Sequence, residues 1–283
     1  MYSKKYFLIM VLPALIIFTI VLIVPITLGF LLSFTNWFKE QLIFEGKWIG
    51  FNNYKIAVTD PQFIDSIWYT AAFSFLCLIF VNLFGFTFAY ALSKKIYAKN
   101  IFRGIFFLPN MVGGLILGYL WQIIFDNVLN QIFGHSLRFG NRWEAMVAMA
   151  IVFTWQMAGY VMIIYIAALQ NINKSLSEAA KIEGSGVFRH FFSVVLPSIM
   201  PAITVVLFLI ISRSFQMFDQ NLALTNGDNN TSLLAFNIYS SAYVQAYKQN
   251  FGIAQAKSFI FVILVAGISL TQVYISKKFE VQS

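Results

Sequence analysis

The residues best suited to bind a ligand form a short polar series around Arg213. Arg213 is the only charged residue within the apolar part of any predicted membrane span, and Gln216 and Gln220 follow it three and seven positions later. This spacing predicts that the three side chains share one helix face. A guanidinium and two amides offer several hydrogen bonds, which suits a neutral polyhydroxylated ligand. Two alternatives remain open: Arg213 extends to the outer membrane interface, or it pairs with Asp219.

Residues for catalysis or metal binding are few and dispersed. Cys77 lies alone inside an apolar run, so it offers neither a disulfide nor a cysteine-based metal site. His135 and His190 are far apart and lack ligand spacing. No phosphate-binding loop, nucleophile elbow or zinc-protease motif occurs. The sequence therefore predicts that the chain is not an enzyme and holds no metal or cofactor of its own.

The composition indicates that these residues are positioned by membrane helices. Hydrophobic residues make up 59% of the 283 residues and charged residues 11%, whereas soluble domains contain about 25% charged residues. An unusually large soluble core would still be interrupted by charges. Six charge-free runs instead reach the roughly 20 residues that cross a bilayer as a helix. The predicted fold is an all-α, polytopic membrane protein with transmembrane helices at residues 6–34, 67–92, 104–125, 145–169, 191–218 and 258–276.

Basic residues indicate the orientation of these helices. Six spans place eleven Lys and Arg residues on the cytoplasmic side and seven outside, which favours two cytoplasmic termini. The first run is much longer than the roughly 7–15 apolar residues of a signal peptide, so we expect it to be retained. The net charge of +8 is spread over helix flanks and forms no patch for nucleic acid.

The uncharged segment 231–247 is a weaker candidate for a span. It is rich in Ser, Asn, Thr and Gln and is shorter than the other runs. A seventh span would also move Lys277 and Lys278 to the outer side, against the charge bias. We therefore expect an outer-surface or re-entrant helix.

The loop at residues 173–197, between the fourth and fifth spans, is long for a helix connection. Ser175 and Glu178 have the spacing of a capping box, which predicts a helix beginning near Leu176. Glu178 also offers an acid to a basic partner surface.

The remainder of that loop predicts a turn and a second helix. Gly184 and Gly186 are suited to end the first helix, and residues 187–195 then lead into the fifth span. Ala179 and Ala180 permit close approach of another protein, although an ordinary amphipathic connector would explain them equally well.

These loop residues resemble the EAA motif of ABC importer permeases. Glu178-Ala179-Ala180, then Gly184, then Leu196-Pro197 have the spacing of that motif. Further segments resemble the carbohydrate branch of the family, the MalF type, along nearly the whole chain. They include Ser33-Phe34-Thr35-Asn36-Trp37, Phe51-Asn52-Asn53-Tyr54, Phe106-Phe107-Leu108-Pro109, Phe218-Asp219-Gln220 and Phe251-Gly252-Ile253-Ala254.

The resemblance implies an architecture and a set of partners. Residues 1–283 would form one ABC transmembrane domain of the type I importer (MetI-like) fold, in the bacterial cell membrane. The partners would be a second homologous permease, two cytoplasmic ATPase subunits that carry ATP and Mg, an extracytoplasmic sugar-binding protein and membrane lipid. The implied function is permeation of a sugar, expected to be an oligosaccharide, with a phosphorylated polyol or another anionic carbohydrate derivative as the alternative.

The resemblance also implies two sets of functional residues. Coupling to the ATPase is expected at Glu178, Ala179, Ala180, Gly184, Leu196 and Pro197. For the substrate pathway the resemblance implies Met157, Tyr160, Arg213, Ser214 and Met217; the spacing around Arg213 adds Gln216 and Gln220, and Asn110, Trp155 and Gln156 are additional lining candidates. A secondary transporter would normally carry acids inside its spans, and a membrane-embedded enzyme would need a cluster of catalytic groups. The sequence shows neither feature.

Overall fold

Helices account for nearly all of the chain that the structure, a computed structural model, describes. The described residues are 4–38, 45–94, 96–134, 136, 138, 140–182, 184–244 and 250–280. The α-helices are α1 (Lys4–Phe18), α2 (Val24–Leu32), α3 (Asn52–Thr59), α4 (Pro61–Ser93), α5 (Lys99–Met111), α6 (Gly114–Ile123), α7 (Asn130–Phe133), α8 (Arg142–Gln170), α9 (Lys174–Ile182), α10 (Val187–His190), α11 (Leu196–Phe215), α12 (Asp219–Leu224), α13 (Leu234–Tyr243) and α14 (Phe251–Lys277). Short π-helical turns join α1 to α2, α6 to α7 and α10 to α11.

Five helical stretches are long and apolar enough to cross a membrane. They are Ile9–Leu32, Pro61–Ser93, Arg142–Gln170, Val187–Phe215 and Phe251–Lys277. A sixth consists of Lys99–Met111 and Gly114–Ile132, which meet at a bend of 99°. With this pair counted as one broken span, the prediction of an all-α fold with six membrane helices is confirmed for the described residues.

The third membrane helix differs from the straight span predicted at 104–125. α5 ends at Met111, Val112 and Gly113 have extended backbones, and α6 then begins at Gly114. Two consecutive glycines disfavour helix by about 1 kcal/mol each relative to alanine. The break also frees backbone groups, which must find partners elsewhere in the fold.

The fifth membrane helix also ends earlier than predicted. The helix from Val187 ends at Phe215, and Gln216 takes the C-cap position. Gln220 belongs to the next helix, α12. The prediction that Arg213, Gln216 and Gln220 share one continuous helix face is therefore wrong, because the chain turns between them.

The polar segment 231–247 contains the ten-residue helix α13. A helix of that length extends only about 15 Å, which is too short to cross a bilayer. Most of its side chains between Leu233 and Ala242 are buried. Residues 245–249 lie outside the described part of the chain.

One compact unit consists of Met1–Ile64 and Asn237–Ile263. Its centre is the ammonium group of Lys257, whose side chain is 1% exposed. Lys257 Nζ donates to Asp60 Oδ2 at 2.7 Å, to Asn237 Oδ1 at 3.0 Å and to Ser241 Oγ at 2.8 Å. A buried ammonium requires such partners because it has lost its hydration.

The first membrane helix of this unit is covered only near its C-terminal end by the described part of the chain. None of the apolar window of Ile9–Leu32 is buried, and residues such as Val21 and Ile17 are fully apolar and exposed. A helix that is apolar on all sides requires lipid or another membrane helix around it.

The second unit consists of Asp65–Phe236 and Leu264–Ser283. α8 is its central helix, with 61% of its apolar window buried. Glycines allow close backbone approach at two points: Gly85 of α4 contacts Val161, and Gly159 contacts the Phe106 carbonyl of α5. Small residues at helix contacts are a common means of packing membrane helices.

Candidate functional site

The loop after α8 begins with a helix cap different from the predicted one. Asn173 Oδ1 accepts from the Ser175 backbone N–H at 3.0 Å and from Ser175 Oγ at 2.8 Å. α9 accordingly begins at Lys174, before the predicted start near Leu176. The expected capping box at Ser175 is wrong, because Asn173 already supplies the side-chain acceptor that the first turn needs.

The end of α9 matches the prediction from its glycines. Gly184 has a φ of +71°, a conformation that costs other residues about 1–2 kcal/mol. The Ser185 N–H reaches back to the Ala180 carbonyl at 2.9 Å, which is the long hydrogen bond of a Schellman motif. Gly186 then has an extended backbone and precedes α10.

From Val187 the chain continues as one helical rod to Phe215. A π-helical turn at Phe191–Val195 joins α10 to α11. Pro197 follows that turn and has no N–H, so the regular hydrogen-bond ladder cannot run through it. The loop is thereby connected directly to the end of the fifth membrane helix.

The surface of this loop is open and partly apolar. Glu178 and Ala179 are exposed, and Ala180 is half-buried. Beside them, Ile182 is 88% exposed and Phe188 82% exposed. Large apolar side chains exposed together mark a surface that contacts either another protein or lipid.

Near the C-terminal end of the fifth membrane helix, hydrogen bonds of two glutamines link the break after α5 to helix α12. Gln156 of α8 donates from Nε2 to the Val112 carbonyl at 3.1 Å, which satisfies an acceptor freed by the break after α5. Gln220 of α12 donates from Nε2 to Gln156 Oε1 at 2.7 Å. Irregular backbone at membrane depth is tolerated where such internal partners exist.

The helices that follow the two breaks pack closely together. A Cβ atom added to Gly118 of α6 would lie 2.6 Å from the Ala223 Cβ of α12. A Cβ atom added to Gly114, at the start of α6, would lie 2.9 Å from Asp219 Oδ2. The absence of side chains at both glycines therefore allows α12 to lie directly against α6.

A polar cavity of about 290 Å³ lies where these breaks meet. It is lined by Asn110, Gly114, Phe153, Gln156, Met157, Arg213, Gln216, Met217, Phe218, Asp219 and Gln220. Five of the seven residues predicted for the substrate pathway lie on this wall, together with the additional candidates Asn110 and Gln156. They converge through folding of separate segments rather than through helix periodicity.

Two of the predicted pathway residues lie elsewhere. Ser214 is fully buried, and its Oγ lies within hydrogen-bond distance of Ser74 Oγ at 2.7 Å and of the Ile211 carbonyl at 3.0 Å. Tyr160 is half-buried against the apolar core. Trp155, an additional candidate, lines a separate apolar cavity and contacts Trp121 at a ring-centroid distance of 5.6 Å.

The cavity also contains residues that were not predicted to line it. Asp219, Phe218, Phe153 and Gly114 complete the wall. Two sequence features could have predicted these helix boundaries. The Gly113-Gly114 pair disfavours helix, and an acid such as Asp219 is typical of the first turn of a new helix. In the described part of the chain, no three His, Cys, Asp or Glu side chains form a metal-ligand group.

Comparison with known proteins identifies the family. Residues 82–281 match the family described as the binding-protein-dependent transport system inner membrane component. The chain belongs to this family. It is accordingly a multi-pass inner membrane transport component and not an enzyme, and ATP hydrolysis in such systems belongs to separate ATPase subunits.

Relatives match along almost the full chain. The probable starch degradation products transport system permease protein AmyD of Thermoanaerobacterium thermosulfurigenes is 39% identical over 279 residues, covering 95% of this chain and 93% of that protein. The multiple sugar-binding transport system permease protein MsmF of Streptococcus mutans is 32% identical over 265 residues, covering 91% and 90%. These matches confirm the resemblance to carbohydrate ABC permeases.

A solved structure shows the same fold. The chain matches a subunit of a bacterial ABC transporter that imports the acidic polysaccharide alginate, with a TM-score of 0.79 and 23% identity, covering 97% of this chain and 96% of that chain. This likeness agrees with the predicted type I importer architecture.

Proposed function

We propose that this chain is the permease subunit of an ABC importer that provides half of the pathway for a sugar, most simply a neutral oligosaccharide. The observation that carries the proposal is the polar cavity formed where the broken third membrane helix meets the turn that follows the fifth. Discontinuous helices characteristically line substrate sites in membrane transporters. The names of AmyD and MsmF, which refer to starch degradation products and multiple sugars, support the substrate class.

The chemistry of the cavity suits a sugar. The amides of Asn110 and Gln216 and the guanidinium of Arg213 can bond hydroxyl groups, and Phe218 offers a ring face for an apolar sugar face. A volume of about 290 Å³ is at the lower limit of the roughly 300–1,000 Å³ that small-molecule sites occupy. A second permease subunit would provide the remaining wall, so the pathway is incomplete in this chain alone.

The loop surface provides a second contact with partners. Glu178, Ala179 and the exposed apolar groups around Phe188 form the surface to which an ATPase subunit would bind, with Gly184 setting its turn and Leu196 and Pro197 beginning α11. ATP and Mg would be held by the two ATPase subunits. The cytoplasmic position of this loop, and of both termini, follows from the distribution of basic residues.

Coupling follows from the continuity of the fifth membrane helix. The rod Val187–Phe215 begins beside α9 and ends one residue before Gln216, at the cavity. Closure of the ATPase subunits would move α9, and the rod would carry that displacement to the cavity wall. An extracytoplasmic binding protein would deliver the sugar to the opposite side.

One observation favours a second substrate class. Arg213 lines the cavity and has no ion pair in the described part of the chain. An unpaired guanidinium suits phosphate or carboxylate, as in a phosphorylated polyol or another anionic carbohydrate derivative.

The proposal is tested by the ATPase activity of the complete transporter, reconstituted with its binding protein. We expect stimulation by one class of neutral oligosaccharides when a panel of these sugars, amino acids and phosphorylated polyols is compared. Stimulation by amino acids alone would contradict the proposal. Stimulation by phosphorylated polyols alone would select the second candidate.

Glu178→Ala tests the docking role of the loop. We expect a several-fold loss of sugar-stimulated ATPase activity, because the variant removes an exposed charge at the contact with the ATPase. Asp228→Ala is the matched control, since Asp228 is also an exposed acid but lies on the turn after α12. Equal effects of the two variants would contradict a specific role of Glu178.

A further inference from the structure

The cavity contains one positive and one negative side chain, Arg213 and Asp219, as its only charged groups among the described lining residues. Both are exposed. Neither forms an ion pair or a side-chain hydrogen bond in the described part of the chain. Pairing between them, one of the alternatives drawn from the sequence, is therefore not observed. Both charges remain available to a ligand.

The carboxylate of Asp219 lies close to the first residue of α6. Its Oδ2 atom is next to Gly114, the first residue of α6, at 2.9 Å from the position a Cβ atom would take. Negative groups are favoured at the start of a helix because the first N–H groups are unpaired and the helix dipole is positive there. The Asp219 carboxylate therefore places a negative charge close to the start of α6, where it would repel a second anion.

The remaining lining groups are neutral. They are amides, a glycine, two methionines and two phenylalanines. One guanidinium and one carboxylate therefore cancel in net charge while offering both strong donors and strong acceptors. A ligand with many hydroxyl groups can use both, because each hydroxyl donates and accepts. A carboxylated or phosphorylated ligand gains from Arg213 but is repelled by Asp219.

We infer that Asp219 is a specificity-determining residue that, with Arg213, restricts this pathway to uncharged sugars and excludes anionic ones. The inference rests on the proposed function, since it assigns a substrate class to the same cavity. The inference also selects neutral oligosaccharides over anionic carbohydrate derivatives, the two substrate classes that Arg213 alone does not distinguish.

The test measures binding to the assembled permease and ATPase complex in lipid nanodiscs, without the binding protein, so that delivery does not select the ligand. The neutral probes are maltotriose, arabinotriose and raffinose, and the anionic probes are trigalacturonate and glycerol 3-phosphate. We expect the wild type to bind a neutral trisaccharide severalfold more tightly than either anion, because the Asp219 carboxylate offsets the attraction of Arg213 for an anion while both side chains still bond hydroxyl groups.

The decisive variant is Asp219→Asn, which removes the charge and keeps the size of the side chain. We expect the ratio of neutral to anionic affinity to fall by at least about tenfold. Asp219→Glu should keep the wild-type preference, because it retains the carboxylate. Asp228→Asn is the matched control and should also keep it, because it removes an equal charge outside the cavity.

The outcomes separate this inference from the proposed function. If a neutral sugar binds the wild type but Asp219→Asn leaves the ratio unchanged, or if an anion binds the wild type as tightly, the inference is overturned and sugar transport stands. If none of the five probes binds the wild type or any variant, the cavity is not a carbohydrate site and both proposals fail. Assembly of each variant with the ATPase confirms that it is folded.

Discussion

The loop at 173–197 and the polar cavity differ in how their residues come together. The loop is built from neighbours in sequence: Asn173 caps the start of α9, Gly184 ends it, and the exposed groups lie between and beside them. The cavity brings together segments that are distant in sequence, with Gln156 bonded to both Val112 and Gln220. A docking surface can be specified locally, whereas a pathway through the membrane requires long-range packing.

This difference predicts that mutations act differently in the two regions. Changes to the helix contacts and to the bonded glutamines that support the cavity should lower the stability of the chain, because Gln156 links Val112 to Gln220. Changes in the loop should weaken coupling while leaving the membrane helices intact, because its functional surface contacts solvent.

The largest effect is expected for Gly159→Ala, where α8 packs against α5 before the break that leads to the cavity. A methyl group there would overlap the Phe106 carbonyl in the backbone of α5, and overpacking of this kind costs about 1–3 kcal/mol or more. We expect a strongly lowered thermal unfolding midpoint in nanodiscs. Gly104→Ala is the control, because Gly104 belongs to α5 itself and has nothing within 4 Å of the added atom. Equal midpoints for the two variants would show that α5 and α8 do not pack as described.

The next largest effect is expected for Gly184→Val, in the loop. Its φ of +71° is unfavourable for a β-branched residue, and each 1.4 kcal/mol of distortion weakens docking about tenfold. We expect at least about a tenfold loss of ATP-driven uptake with an unchanged unfolding midpoint. Gly186→Val is the matched control, because Gly186 has a φ of −68° and open space around it. A lowered midpoint for Gly184→Val would contradict the separation of the two regions.

A smaller effect should distinguish two glutamines of the same cavity. Gln156→Leu leaves the Val112 carbonyl without its partner and should lower the free energy of unfolding by about 1–3 kcal/mol. Gln216→Leu should leave stability nearly unchanged, because Gln216 is exposed and has no side-chain hydrogen bond in the described part of the chain. Thermal unfolding and sugar uptake measured together should show loss of both for Gln156→Leu. Loss of stability in both variants alike would mean that Gln156 does not brace the break.

The smallest effect concerns the start of α9. Asn173→Ala removes the N-cap acceptor and should destabilise the helix by about 1 kcal/mol, seen as a fewfold loss of coupled ATPase activity. Ser175→Ala should have a smaller effect, because the Ser175 backbone N–H still reaches Asn173. The reverse order of the two variants would restore the capping box as the correct assignment.

Sequence patterns predicted the fold class well, because membrane helices are specified by long apolar runs such as those containing Phe73 and Ile210. They also predicted the turn at Gly184, where only one residue type adopts the conformation without cost. They failed where the outcome depended on distant partners. Asn173 was a better cap than Ser175, and the breaks before Gly114 and after Phe215 are stabilised by residues of α8 and α12.

The pathway candidates show the same limit. Arg213, Gln216 and Gln220 line the cavity although the predicted reason, a shared helix face, is wrong. Ser214, adjacent to Arg213 in sequence, faces Ser74 instead. Which side of a membrane helix faces a cavity depends on the helices packed against it. The sequence of one apolar helix carries little information about those neighbouring helices.

The continuous helical stretch from Val187 to Phe215 fixes the distance between the loop at 173–197 and the cavity. Its 29 residues extend about 43 Å, so a tilt of about 10° about one end displaces the other by roughly 7 Å, given that length. A shift of that size exceeds the pitch of a helical turn. If the loop at 173–197 is the ATPase contact as proposed, the fifth membrane helix would act as a lever arm, in which a modest rotation at the loop end displaces the cavity end by more than one helical turn.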